Sequence, residues 1–129
     1  MKNFFRTRIE SFGHAFRGLG YAIRNEKNAW IHATATILAI IFAFWLEISL
    51  TKWAVLVLTI AMVWSAEMIN TSIEAVVDLA SPDHHPLAKV GKDVGAAAVL
   101  IAAFAALIIG MIIFAPPLWG KITSFFKLT

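Results

Sequence analysis

The stretch WAVLVLTIAMVWSAEMINTSIEAVVDLA, residues 53–80, opens as an apolar run and closes on a row of acid and amide side chains. Glu67, Asn70, Glu74 and Asp78 follow one another at spacings of three, four and four, so on an α-helix they share one face. The run before them, residues 53–66, has only Thr59 and Ser65 as polar residues. It is too short to span a bilayer core, which needs ~20 residues, so the helix must continue through Glu67. At ~1.5 Å of rise per residue, Glu67 lies ~21 Å and Glu74 ~32 Å beyond Trp53, against a hydrocarbon core of ~30 Å. Glu67 therefore falls just inside the lipid boundary and Glu74 just outside it. Carboxylates at that depth are costly, which marks them as functional.

Working outward, a chain of 129 residues with 60% hydrophobic and 15% charged residues is a single domain and an integral membrane protein. Two further apolar runs flank the first, at 29–46 and at 94–114, the latter without any charge. Spans are expected over 29–49, 53–78 and 94–115. The first 28 residues contain six Lys or Arg and no continuous apolar core, so they do not read as a signal peptide. Cysteine is absent, which removes disulfides and thiolate nucleophiles. Of the 11 basic residues, Lys2, Arg6, Arg8, Arg17, Arg24, Lys27, Lys89 and Lys92 fall on one side of such a three-span arrangement, and Lys52, Lys121 and Lys127 on the other. The basic excess places the amino terminus and the loop over 79–93 in the cytoplasm. The net charge of +3 is then a matter of topology and anionic lipid, and no module for nucleic acid is present.

Phe5, Ile9, Phe12, Phe16, Leu19 and Ile23 recur every three or four residues with arginines in other directions, which predicts an amphipathic helix over 1–25 lying in the membrane interface. Asn25 is placed to cap the next helix, with Glu26 in its first turn at the cytoplasmic mouth, level with Glu74. Ser81-Pro82-Asp83-His84-His85-Pro86 reads as the main loop, and Pro116-Pro117 as the end of the third span, followed by a tail over 116–129. Ala98, Ala102, Ala106 and Gly110 form a ladder of small residues that lets another helix approach. Three spans make a thin bundle, which favours a homo-oligomer.

Glu26 and Glu74 are hard oxygen donors suited to Mg2+, which uses one or two carboxylates together with substrate phosphates. Glu67, two turns deeper and partly desolvated, is suited to act as a general base toward a lipid hydroxyl. Asn70 can donate and accept hydrogen bonds, while Lys92 and Asp93 can meet phosphate and ribose or base. These are parts for phosphoryl transfer, although no glycine-rich phosphate loop is present. An acidic stripe in a membrane equally suits a proton or cation pathway, and on the residues alone a small transporter and an enzyme both stand open. His84 and His85 lack the spacing of a zinc site and read as solvated or phosphate-contacting. His32 reads as a packed, hydrogen-bonded residue.

Glu67-Met68-Ile69-Asn70-Thr71-Ser72-Ile73-Glu74, Asp78, and Lys92-Asp93 followed by Gly95-Ala96-Ala97-Ala98-Val99 together resemble the signature of the prokaryotic diacylglycerol kinase family, with Ser11-Phe12, Ala15, Gly18, Glu26, Asn28 and Ile31-His32 extending the match toward the amino terminus. The resemblance implies an all-α homotrimeric membrane protein with three transmembrane helices and an interfacial amino-terminal helix, in the bacterial inner membrane with its active site on the cytoplasmic face. It implies transfer of the γ-phosphate of ATP to a lipid alcohol, with Glu67 as catalytic base and Glu26 and Glu74 holding the magnesium. It also implies that Asn70, Asp78, Asp83, His84, His85, Lys92 and Asp93 line the nucleotide site, which neighbouring subunits share. Asn28, His32 and the loop His84-His85-Pro86-Leu87-Ala88-Lys89 are similar to the branch in which undecaprenol kinases occur, so undecaprenol is the expected acceptor, with diacylglycerol as the alternative.

Overall fold

The computed structural model describes the backbone of residues 2–81 and 85–127, and the side chains of these apart from residues 2–6 and 27. The described chain consists of four helices, α1 (Lys2–Asn25), α2 (Lys27–Trp45), α3 (Leu50–Ala80) and α4 (Pro86–Lys127), with no strand among the described residues. Segments Asn28–Trp45, Leu50–Ala80 and Pro86–Lys127 are long and apolar enough to cross a membrane. Their outer surfaces suit lipid: Leu58, Ile101, Ile108 and Ile112 are all largely exposed, a cost that water would impose and acyl chains do not.

Each helix begins or ends for a local reason. Asn25 does not cap α2; it is the last residue of α1, where its Nδ2 donates to the Tyr21 carbonyl at 2.8 Å. The N-cap position of α2 is taken by Glu26, in extended backbone and without a capping hydrogen bond, so its carboxylate is not engaged in closing the helix. α2 stops at Trp45, short of residue 49, because Glu47 takes the left-handed conformation (φ 51°) at the turn into α3. Ser49 then caps α3 through its hydroxyl, which accepts from the Lys52 amide. The expected loop over 79–93 shrinks, since α3 runs to Ala80 and α4 starts at Pro86, a residue well suited to a first helical position. His85 Nδ1 accepts the Leu87 amide at 3.2 Å and so caps α4.

Pro116 and Pro117 do not end the helix, which continues to Lys127. Pro117 has no N–H to offer the carbonyl of Ile113, four residues back, and that carbonyl instead accepts from Lys52 Nζ at 3.2 Å. Farther on, Lys121 Nζ donates to the Trp45 carbonyl at 2.8 Å, tying the end of α4 to the end of α2. What reads in sequence as a tail is a docked helical extension.

α3 packs chiefly on α4. At one end of the bundle the core is apolar, built from Ala43, Leu46, Ile48, Leu56 and Ile113. Toward the other end the buried side chains of α3 are Thr59, Val63, Glu67, Asn70 and Thr71, mostly polar, and Gly95 of α4 packs against Asn70. The 31 residues of α3 extend ~46 Å, longer than a ~30 Å bilayer core, so this polar end projects to the membrane surface.

Candidate active site

Among the described residues Glu67 is the largest fully buried side chain, 1% exposed, in the segment of α3 enclosed by α2 and α4. Its surroundings are made by neighbours from three helices. From α2, His32 Nε2 lies 3.6 Å from Glu67 Oε2. One turn along α3, the buried Asn70 amide donates through Nδ2 to Glu74 Oε1 at 2.8 Å, holding that half-buried carboxylate in place. From α4, Gly95 lies so close to the Asn70 side chain that a Cβ there would overlap Asn70 Oδ1. Glycine is thus needed for approach at this position, and the contact fixes the Asn70 amide against the facing helix. Thr71 adds a bond from its hydroxyl to the Glu67 carbonyl at 3.0 Å.

Glu26, at the junction of α1 and α2, is half-buried. The negative charges of Glu26 and Glu74 both act on the Glu67 carboxyl, and both act on the Lys92 ammonium. Glu26 and Glu74 thus both lie within electrostatic reach of Glu67, at the polar end of the bundle. Asp78 leaves this buried group: it is exposed and accepts from Lys92 Nζ at 2.8 Å. An exposed pair of this kind contributes little to stability, so its value lies in holding the ammonium between α3 and α4.

Beside it opens a groove of about 490 Å3 between the last turns of α3 and the first turns of α4. Asp78, His85, Lys92 and Asp93 line it, four of the residues expected at the nucleotide site, together with Ser81 and Lys89. Asp83 and His84 lie outside the described residues. Lys89, which precedes Lys92 by one helical turn, was not among the expected site residues; that spacing is the sequence signal that pairs them. His32 is packed, as expected, but its Nε2 has no hydrogen bond and faces Glu67.

Among the described residues no group of three or more His, Cys, Asp or Glu side chains is arranged as a metal cluster. The donor set fits magnesium of the kind that accompanies a nucleotide: two carboxylates, one already oriented by an amide and the other not used in capping, leaving the remaining positions to phosphate oxygens and water.

The chain is similar in sequence to known membrane kinases. The family model described as prokaryotic diacylglycerol kinase matches residues 13–114. The chain is 43% identical over 110 residues to an undecaprenol kinase of Bacillus subtilis, covering 85% of this chain and 89% of the relative. It is 41% identical over 111 residues to a diacylglycerol kinase of Synechocystis sp., covering 85% and 63% of the two chains. To a diacylglycerol kinase of Escherichia coli it is 36% identical over 100 residues, 78% of this chain and 82% of the relative.

Proposed function

The chain belongs to the prokaryotic diacylglycerol kinase family, and from that premise we propose that it transfers the γ-phosphate of ATP directly to the primary hydroxyl of a membrane alcohol, with undecaprenol as the acceptor. It is an enzyme, a membrane lipid kinase. The observation that carries the mechanism is the buried Glu67 carboxyl, with Glu26 and Glu74 near it and a groove lined by Lys89 and Lys92 farther along the same face of α3.

In this reading Glu67 Oε2 takes the proton of the lipid hydroxyl as the alcohol oxygen bonds to the γ-phosphorus, and the bond from that phosphorus to the bridging oxygen of ATP breaks to release ADP. Glu26 and Glu74 would hold Mg2+, which when bound offsets the negative charge of the phosphates. Asn70 keeps Glu74 in place, and Lys92, oriented by Asp78, presents its ammonium to phosphate oxygens. Asp83, His84, His85 and Asp93 complete the nucleotide site, where Asp93 is suited to accept from ribose or base. Burial of Glu67 beneath the helices keeps bulk water from competing with the alcohol.

The wider architecture belongs to the same proposal. The chain is one lipid kinase domain in the bacterial inner membrane, with its site on the cytoplasmic face, as the asymmetry of basic residues indicates. α1 lies in the interface as an amphipathic helix, with the exposed Ile9, Phe12 and Phe16 in lipid. Three subunits associate through the apolar faces left open on each thin bundle and share the site between neighbours. Undecaprenol is preferred over diacylglycerol on the similarity to the Bacillus subtilis protein and on the His32 and His84-His85-Pro86-Leu87-Ala88-Lys89 features.

Purified protein in detergent, supplied with γ-labelled ATP, magnesium and in turn undecaprenol, diacylglycerol and ceramide, tests this directly. Label in the undecaprenol product at the highest kcat/KM supports the proposal. Preference for diacylglycerol moves the assignment to the alternative, and no labelled lipid together with solute flux in sealed vesicles would make the protein a transporter.

A further inference from the structure

His32 turns inward directly after two side chains of α2 that face outward. Trp30 and Ile31 are 62% and 65% exposed, whereas the His32 side chain is 12% exposed and turned toward α3. Its Nε2 and the Glu67 Oε2 are both buried, and neither has a hydrogen-bond partner. They face each other at 3.6 Å, too far for a hydrogen bond and too near to be unrelated. Leaving two such atoms unsatisfied is costly, and a purely structural pair would close on itself.

One kind of group satisfies both atoms at once: a group that accepts from an imidazole N–H and donates to a carboxylate through the same atom. A primary hydroxyl does this. Two hydrogen bonds of ~2.8 Å meeting at a hydroxyl oxygen at a near-tetrahedral angle span ~4.6 Å, so the pair must open by ~1 Å to admit it. A swing of ~15° about a side-chain torsion supplies that movement without leaving a rotamer well. Asn70 Oδ1, another buried atom without a partner, only accepts and cannot replace the imidazole donor.

We infer that His32 is the second half of the acceptor site: its Nε2–H donates to the oxygen of the lipid alcohol while Glu67 Oε2 receives the proton of that same hydroxyl. The inference rests on the kinase reading above and adds to it the residue that recognises the alcohol. As the O–H bond breaks toward Glu67, the oxygen keeps its bond from His32, which directs a remaining lone pair at the γ-phosphorus. No proton leaves His32 in the step. The imidazole thus acts by aiming the nucleophile, and a neutral amide donor at the same position should serve in its place.

The experiment compares wild type, His32→Leu and His32→Gln in initial rates against a short-chain prenyl alcohol at saturating Mg-ATP. It also measures inhibition by the analogue in which the terminal CH2OH is CH3. A Gln side chain carries its N–H to about the reach of Nε2. The expected result is a fall in kcat/KM for the alcohol of about ten- to a hundredfold in His32→Leu, the scale of one lost hydrogen bond in a buried site, with the KM for Mg-ATP unchanged. His32→Gln should recover most of that loss, and the methyl analogue should inhibit wild type and His32→Leu equally. An unchanged kcat/KM in His32→Leu, or a loss that Gln does not recover, overturns the inference. Should His32→Leu fail to fold, His32→Asn takes its place: its amide ends near the Nδ1 position, so activity well below that of His32→Gln supports the inference and equal activity refutes it. If wild type itself phosphorylates no alcohol, the kinase reading fails first, which separates the two failures.

Discussion

Gly95→Ala offers a sharp test of how α4 supports the site. The new methyl group would overlap Asn70 Oδ1, and the nearest atom that can yield is the end of that side chain, since the Asn70 backbone lies 3.9 Å away. Turning the amide aside breaks its 2.8 Å bond to Glu74 Oε1. A hydrogen bond to a charged group is worth about 1.5–3 kcal/mol, which corresponds to a roughly ten- to hundredfold loss when it serves catalysis. Stability should fall by no more than about 2 kcal/mol, because strain of about 1–3 kcal/mol in the packed interface is partly offset by the ~1 kcal/mol by which alanine exceeds glycine as a helix former. The assay is kcat/KM for Mg-ATP in detergent alongside thermal unfolding, for Gly95→Ala, Asn70→Ala and the double variant. Asn70→Ala should impair activity on its own and render Gly95→Ala nearly silent, because the clash has lost its partner. Full activity in Gly95→Ala, or additive losses in the double variant, would refute the claim that Gly95 acts through Asn70 on Glu74.

Glu26→Gln and Glu74→Gln should each raise the magnesium concentration for half-maximal activity by about tenfold or more, since one of two charged ligands becomes neutral; an unchanged titration removes that residue from the metal site. Leu56→Ala, in the apolar cluster at the opposite end of the bundle, should cost about 2–5 kcal/mol of stability and leave the magnesium titration unaltered, as read by thermal unfolding and by activity below the transition.

The sequence made the site on α3 legible because a helical period is local information. Glu67, Asn70 and Glu74 declare a shared face by spacing alone, and the structure buries Glu67 and Asn70 and half-buries Glu74. Asp78 keeps the spacing but ends exposed, at the rim where α3 meets the start of α4 and its carboxylate pairs with Lys92. What stayed hidden depends on residues far apart in the chain. Pro116-Pro117 carries every mark of a helix end, and only the Lys52 ammonium, supplied from α3 to the Ile113 carbonyl, explains why α4 continues. His32 meeting Glu67, and Gly95 pressing on Asn70, are likewise products of how three helices pack, which no local pattern encodes. The Asn25 cap failed for a smaller reason: the same side chain can close the helix behind it, and does.

The central claim is that a buried carboxylate on α3 activates a lipid hydroxyl toward ATP. Its most direct test is the transfer of labelled γ-phosphate from ATP to undecaprenol by wild type and by Glu67→Gln, with nucleotide affinity measured on both. The account predicts that Glu67→Gln binds Mg-ATP as wild type does yet loses at least a hundredfold in turnover, since the amide keeps the shape of the acid but cannot take the proton. Turnover by Glu67→Gln equal to that of wild type would contradict it.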